Sequence, residues 1–171
     1  MNKLLKISVL LANVVLVFAS CNMRSEVPLA SEMTIDSIVV EKTQRKMSVY
    51  SHGTLQKTYK VALGGDPIGH KQKEGDGRTP EGRYTINDKN PKSQYHKNLG
   101  VSYPNVADRA RAKAAGYPPG GDIKIHGLEA GMVGSAHTLY DWTEGCIAVT
   151  NEEIDELFAH VPTGTPILIL P

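Results

Sequence analysis

From Ile35 onward the chain is written in short, β-branched apolar runs cut by glycine and proline. Ile35, Ile38, Val39 and Val40 open the series, and Met47-Ser48-Val49-Tyr50 alternates apolar with polar. Ser51-His52-Gly53 reads as a turn, and residues 57–63 as the returning strand of a hairpin or meander. Gly64, Gly65, Pro67 and Gly69 end it, and residues 70–82 form a polar, glycine-rich loop. Residues 83–87, 99–103, 122–126, 147–149 and Pro166–Leu170 read as further strands, with 90–96 as a second polar loop. Two segments are helical instead. Residues 105–115 are good helix formers stopped by Gly116 and Pro118. Asn151–His160 follows a capping box, with Thr150 at the cap and Glu153 three positions on. Ile154, Leu157, Phe158 and Val161 then share one face. Strands this short bury their apolar faces only against one another. The expected fold is therefore mainly β, a β-sandwich or partly open barrel with two short helices.

The amino end is different. Lys3 and Lys6 precede a nearly unbroken apolar run over residues 7–19, and Ala19-Ser20-Cys21 follows. A positive start, a short apolar core and small residues make an export signal, and the run is too short to span a bilayer. Cys21 after Ala-Ser resembles the bacterial lipobox, in which it becomes the acylated first residue, although Phe18 stands where leucine is usual. The expected organisation is a lipoprotein signal peptide over 1–20, a polar tether over 21–33 and one domain over 34–171. Asn22, rather than aspartate, follows Cys21. An exported, periplasmic lipoprotein anchored at the outer membrane is expected. With 40% apolar and 22% charged residues the chain is not largely disordered. Its 19 basic and 18 acidic side chains form no basic block, which argues against nucleic acid as a partner. A monomer is expected.

Lipidation of Cys21 leaves Cys146 without a disulfide partner, unusual for an exported protein. If Cys21 is not lipidated, a Cys21–Cys146 bridge is the alternative. A lone thiol is a small buried filler, a metal ligand or a nucleophile. Cys146 follows Gly145, which lets another backbone approach, at the junction of a turn and a strand, where a side chain can face a cleft while the sheet holds its backbone. Among six histidines, His126 ends an alternating apolar strand and is followed by Gly127. It is the candidate base, twenty positions before the thiol. His126, His137 and Cys146 are a conceivable zinc set, but their spacing is loose and no metal is expected. Trp142, four residues from the thiol, is either a core plug or part of a substrate wall.

Ile125-His126-Gly127 followed by Thr143-Glu144-Gly145-Cys146-Ile147 resembles the catalytic core of the L,D-transpeptidase (YkuD) family. The upstream segment Gly75-Asp76-Gly77-Arg78-Thr79-Pro80-Glu81-Gly82-Arg83-Tyr84 resembles that family's G-x-T-P-x-G-x-Y motif. The resemblance covers roughly residues 35–170. It implies the family's β-sandwich-like catalytic domain, with Cys146 as nucleophile and His126 as general base. It also implies that the Gly127 carbonyl orients the imidazole, that the N–H groups of Gly145 and Cys146 receive an oxyanion, and that no cofactor is needed. Trp142, Thr143 and His137 would form the substrate wall. The implied activity is L,D-transpeptidation of peptidoglycan stem peptides. The alternatives are a peptidoglycan amidase or peptidase of the same fold, or a non-catalytic wall-binding lipoprotein. Two positions depart from the pattern. Glu144 stands where the family often has histidine, and Ala148 where it has arginine, which leaves Arg78, Arg83, Lys97 or Lys124 to hold a substrate carboxylate.

Overall fold

The computed structural model describes residues 27–132 and 134–171. The expected signal peptide and the lipidation site Cys21 lie outside the described residues. Eight strands form one sheet: β1 (Ser37–Glu41), β2 (Lys46–Ser51), β3 (Thr54–Lys60), β4 (Gly82–Ser93), β5 (His96–Val101), β6 (Lys124–His126), β7 (Ile147–Ala148) and β8 (Pro166–Leu170). Their spatial order is β3-β2-β1-β8-β4-β5-β6-β7. Helix α1 (Val106–Ala115) joins β5 to β6, and α2 (Asn151–His160) joins β7 to β8. The two ends of the sheet meet. Ala62, just past β3, exchanges both backbone hydrogen bonds with Ala148 of β7, at 2.9 and 3.0 Å. The sheet is thus the mainly β, partly open barrel that the strand pattern predicts.

The alternation in the sequence decides which face turns inward. Ile38 and Val40, Met47 and Val49, Tyr84 and Ile86, and Ile167 and Ile169 all fill the core from alternate positions. Each such side chain contributes about 1.5–3 kcal/mol on burial. Helix α2 closes the core with Ile154 and Leu157, and Val161 follows at its cap. Its capping box forms as the sequence predicts, with Thr150 Oγ1 accepting from the Glu153 N–H at 3.2 Å and Glu153 Oε2 accepting from the Thr150 N–H at 2.8 Å. The β2–β3 hairpin turns on His52 and Gly53, both at positive φ, as a tight primed turn requires.

Two segments differ from expectation. Strand β4 runs to Ser93 and pairs with β5 in a long, bulged hairpin, so residues 90–93 are strand rather than loop. The hairpin projects beyond the core, and its polar residues carry no alternation that would reveal a strand. The expected tether also joins the domain. Leu29 and Met33 pack on the core, the Leu29 N–H donates to Glu156 Oε1 at 2.7 Å, and His160 Nδ1 donates to the Met33 carbonyl at 2.7 Å. Two apolar residues four positions apart in a polar stretch leave no periodic signal, but they find a hydrophobic surface.

The long loop over residues 64–82 is pinned at two points. The Lys42 ammonium is 2% exposed and uses all three donors, on Gly69 O (2.6 Å), Thr79 O (2.9 Å) and Glu81 Oε1 (2.8 Å). Asp76 accepts from the N–H groups of Gln72, Lys73 and Arg78 and from Lys71 Nζ. Burial pushes the Asp76 carboxyl up, but these four donors outweigh it and bring its pKa down to about 2.

Lys42→Met leaves Glu81 and two carbonyls without their cation, and is expected to cost about 3 kcal/mol in urea unfolding. The Asp76 contribution should be complete above its unfolded value of 3.8 and lost as pH falls through about 2. Acid titration of Asp76→Asn should lack that component of the unfolding profile.

Candidate active site

Strands β5, β6 and β7 build the floor of the site. β6 pairs with β7 in parallel, Ile125 beside Ile147 and His126 beside Ala148. β5 pairs with β6 antiparallel, Asn98 beside His126 and Gly100 beside Lys124. Leu99, Ile125 and Ile147 face the core and are fully buried. By alternation Asn98, Lys124, His126 and Cys146 share the opposite face. That face floors a cleft of about 640 Å³, walled by Trp142 and by the tip of the β4–β5 hairpin with Tyr95.

The thiol is held by a turn that only glycine permits. Gly145 sits at φ +126°, and a Cβ there would lie 2.5 Å from the Arg78 carbonyl oxygen. A Cβ at Gly64 would overlap the Gly77 carbonyl and touch Gly145 Cα. The 75–84 motif and the Thr-Glu-Gly-Cys motif therefore stand back to back, backbone against backbone. Buried Thr79 joins them, its Oγ1 accepting from the Gly64 N–H at 3.0 Å. Thr143 closes the turn from inside. Its hydroxyl donates to the Cys146 carbonyl at 2.8 Å and accepts from the Gly145 N–H at 3.1 Å.

The Cys146 thiol lies 3.6 Å from the Asp122 carbonyl, to which it donates. Burial pushes its pKa up. The Lys124 backbone N–H pulls it back, the Asp122 charge raises it, and the Lys124 and Lys71 ammonium groups lower it, for a net rise. His126 is buried, and burial pushes its pKa below 6.5 against a weaker upward pull from its bond to Gly127. Nδ1 lies 2.7 Å from the Gly127 carbonyl. That contact fixes the tautomer with hydrogen on Nδ1 and a bare Nε2. Burial thus favours the thiol at Cys146 and the neutral imidazole at His126. The imidazole packs in a three-ring cluster with Tyr95, centroids 4.6 Å apart, and Trp142, 5.7 Å away edge-on, the two outer rings being 6.2 Å apart. A Cβ at Gly127 would meet Asn151 Oδ1 at 2.6 Å and the Tyr95 carbonyl at 3.0 Å. Asn151 Oδ1 also accepts from the Leu128 N–H at 2.8 Å, so the first residue of α2 holds the strand end that carries His126.

Cys146, His126, Trp142 and Thr143 thus line one cleft, with the Gly127 carbonyl on the imidazole. Two expectations change. The Gly145 N–H is occupied by Thr143 Oγ1, so of the two expected oxyanion donors only the Cys146 N–H is without an acceptor among the described residues. His137 does not reach the cleft wall. It lies in a short 3-10 helix, Gly134–Thr138, buried at 3% exposure with Nδ1 on the Gly134 carbonyl. His126, His137 and Cys146 consequently do not converge, and no metal-ligand cluster forms among the described residues. Three residues escaped the sequence reading. Tyr95 lay in a stretch read as loop, Asn98 faces His126 only through strand register, and Asn151 looked like an ordinary first residue of a helix. Of the four candidate carboxylate holders, Lys124 alone lines the cleft. Arg78 pairs with Asp66, Lys97 pairs with Asp155, and Arg83 is exposed on β4.

Gly145→Ala should cost about 2–4 kcal/mol, combining overlap with backbone strain. Gly164→Ala is the control, since it has positive φ but open space around it. It should cost only about 1 kcal/mol of strain. Denaturant melts of both variants measure the difference.

The sequence profile of the L,D-transpeptidase catalytic domain, YkuD, matches residues 35–169. The chain is 31% identical over 130 residues to Escherichia coli (strain K12) YafK, named provisionally as an L,D-transpeptidase. The match covers 72% of this chain and 46% of YafK. Among solved structures, the helical cell shape determining protein Pgp2 of Campylobacter jejuni superposes with a TM-score of 0.60 at 27% identity, covering 81% of this chain and 48% of that one. An L,D-transpeptidase of Xylanimonas cellulosilytica shares the fold, with a TM-score of 0.52 at 14% identity over 84% of this chain and 64% of that one. The chain spans about half the length of YafK and Pgp2. The profile covers both motifs that build the thiol turn, and with the relatives it shows that the chain belongs to the L,D-transpeptidase catalytic domain family.

Proposed function

We propose that this protein is a cysteine-dependent L,D-transpeptidase acting on peptidoglycan stem peptides. The observation that carries the reading is that Cys146 and His126 line one cleft, with the His126 Nδ1 locked on the Gly127 carbonyl and its Nε2 left bare. His126 Nε2 removes the Cys146 proton as the sulfur adds to the carbonyl of the L-centre of a diamino acid next to a terminal D-residue. The carbonyl π electrons move to oxygen, and the Cys146 N–H donates to that oxyanion. Collapse breaks the C–N bond, and the His126 proton passes to the departing amine. A second stem's amine then attacks the thioester, giving its proton to Nε2 and returning the thiol. Among the described residues the imidazolium has no carboxylate partner, so the buried site disfavours it until the thiolate is bonding.

The resemblance at Cys21 adds a lipid anchor to this proposal, which would place the enzyme at the periplasmic face of the outer membrane. The structural likeness to Pgp2, named for cell shape, supports a role in cell-wall cross-linking or remodelling.

Intact-mass analysis with a stem tetrapeptide should show an acyl adduct on Cys146, absent in Cys146→Ala. His126→Ala should slow its formation by about 10²–10⁴. The acid limb of the rate should lie below pH 6.5, because burial depresses the His126 pKa and the base form persists to lower pH. Adding an acceptor amine should yield a new amide. Release of free acid alone would assign the protein to hydrolysis, and absence of any adduct would overturn the enzymatic reading.

A further inference from the structure

The cleft is nearly neutral, with Lys92 and Lys124 facing Asp122 and Glu144. Ala148, where the resemblance leads one to look for a cation, is fully buried against Ala62 and cannot supply one. Lys124 takes a different position on the same face. It stands two residues before His126 on β6, lines the cleft together with Cys146, and its charge acts on the thiol. Its ammonium is 2.9 Å from Asp122 Oδ1, while the Asp122 carbonyl receives the thiol. Asp122 therefore touches both groups, and it does so from a left-handed backbone at φ +58°. The Asp122 carboxylate is 86% exposed. An ion pair that open to water is worth little, so another carboxylate displaces it readily. The two acidic side chains disfavour a polyanion but admit a single carboxylate.

We propose that the Lys124 ammonium is the receptor for the acyl donor's free carboxylate, binding it beside the amide that Cys146 attacks, with Asp122 as the counter-ion it displaces. The identity of that amide rests on the function proposed above. The ammonium would anchor the end of the donor peptide one row of the sheet away from the base, which aligns the scissile carbonyl over the thiol. It would also favour peptides that end in a free acid over their amides.

The reagent test needs no peptide. Cys146 is alkylated in parallel with iodoacetate and iodoacetamide, and the ratio of the two rates is read by intact mass. A change in thiol pKa alters both rates together and leaves the ratio unmoved, whereas a carboxylate receptor raises it. The native ratio should exceed that of the denatured chain by about three- to tenfold. Lys124→Met should remove that excess, Lys124→Arg should keep it, and Asp122→Asn should increase it. An unchanged ratio in Lys124→Met, or its loss in Lys92→Met instead, overturns the proposal. Should Lys124→Met fail to fold, Asp122→Asn decides, since asparagine tolerates the same backbone and an unchanged ratio there counts against the receptor. In the second arm, a stem tetrapeptide ending in a free acid should acylate the wild-type protein faster than its C-terminal amide, and Lys124→Met should not distinguish them. If neither peptide acylates Cys146, the proposed function fails while the alkylation ratio still decides the receptor.

Discussion

The site depends on one contact, the approach of Gly145 to the Arg78 carbonyl. Two loops distant in sequence meet there with no side chain between them, and any Cβ at Gly145 or Gly64 would force them apart. Everything nearby follows from that closeness. Thr143 can bond both its own turn and the Cys146 carbonyl, Thr79 can reach the Gly64 N–H, and β7 can run beside β6 in the register that pairs Ile147 with Ile125. The polar loop bearing Arg78 must itself be rigid, and Lys42 and Asp76 make it so with saturated hydrogen bonding.

Burial then sets the chemistry. Cys146 and His126 are both pushed toward their neutral forms, the thiol up and the imidazole down. The aromatic rings of Tyr95 and Trp142 contribute to that desolvation and fix the imidazole plane, while the Gly127 carbonyl fixes its tautomer. A carboxylate partner would stabilise the imidazolium and hold the proton. A carbonyl orients the ring with a smaller pull, which suits the acid–base role proposed for His126.

Much of this was legible beforehand because it is local. Period-two alternation named the core strands, and the Thr150 and Glu153 spacing named the start of α2. Gly145 before Cys146 signalled a close backbone approach, although nothing in the sequence said that Arg78 would be the neighbour. The failures are equally physical. The hairpin residues 90–93 have water on both faces and so carry no pattern. Leu29 and Met33 dock by contacts that span most of the chain. His137 looked close to the thiol in sequence, yet its own loop buries it away from the cleft.

By itself the sequence determined the strand-rich architecture, the two helices and the thiol–imidazole candidates, because periodicity, capping and glycine placement act over a few residues. Only the tertiary structure decided which groups face each other. Strand register put Asn98 and Ala148 on either side of His126, and the cleft brought Lys124 and Cys146 together. Loop packing set Gly145 against the Arg78 carbonyl and Thr79 on the Gly64 N–H. These pairings join residues from different strands and loops, and they exist only once the sheet has curled and Ala62 has met Ala148.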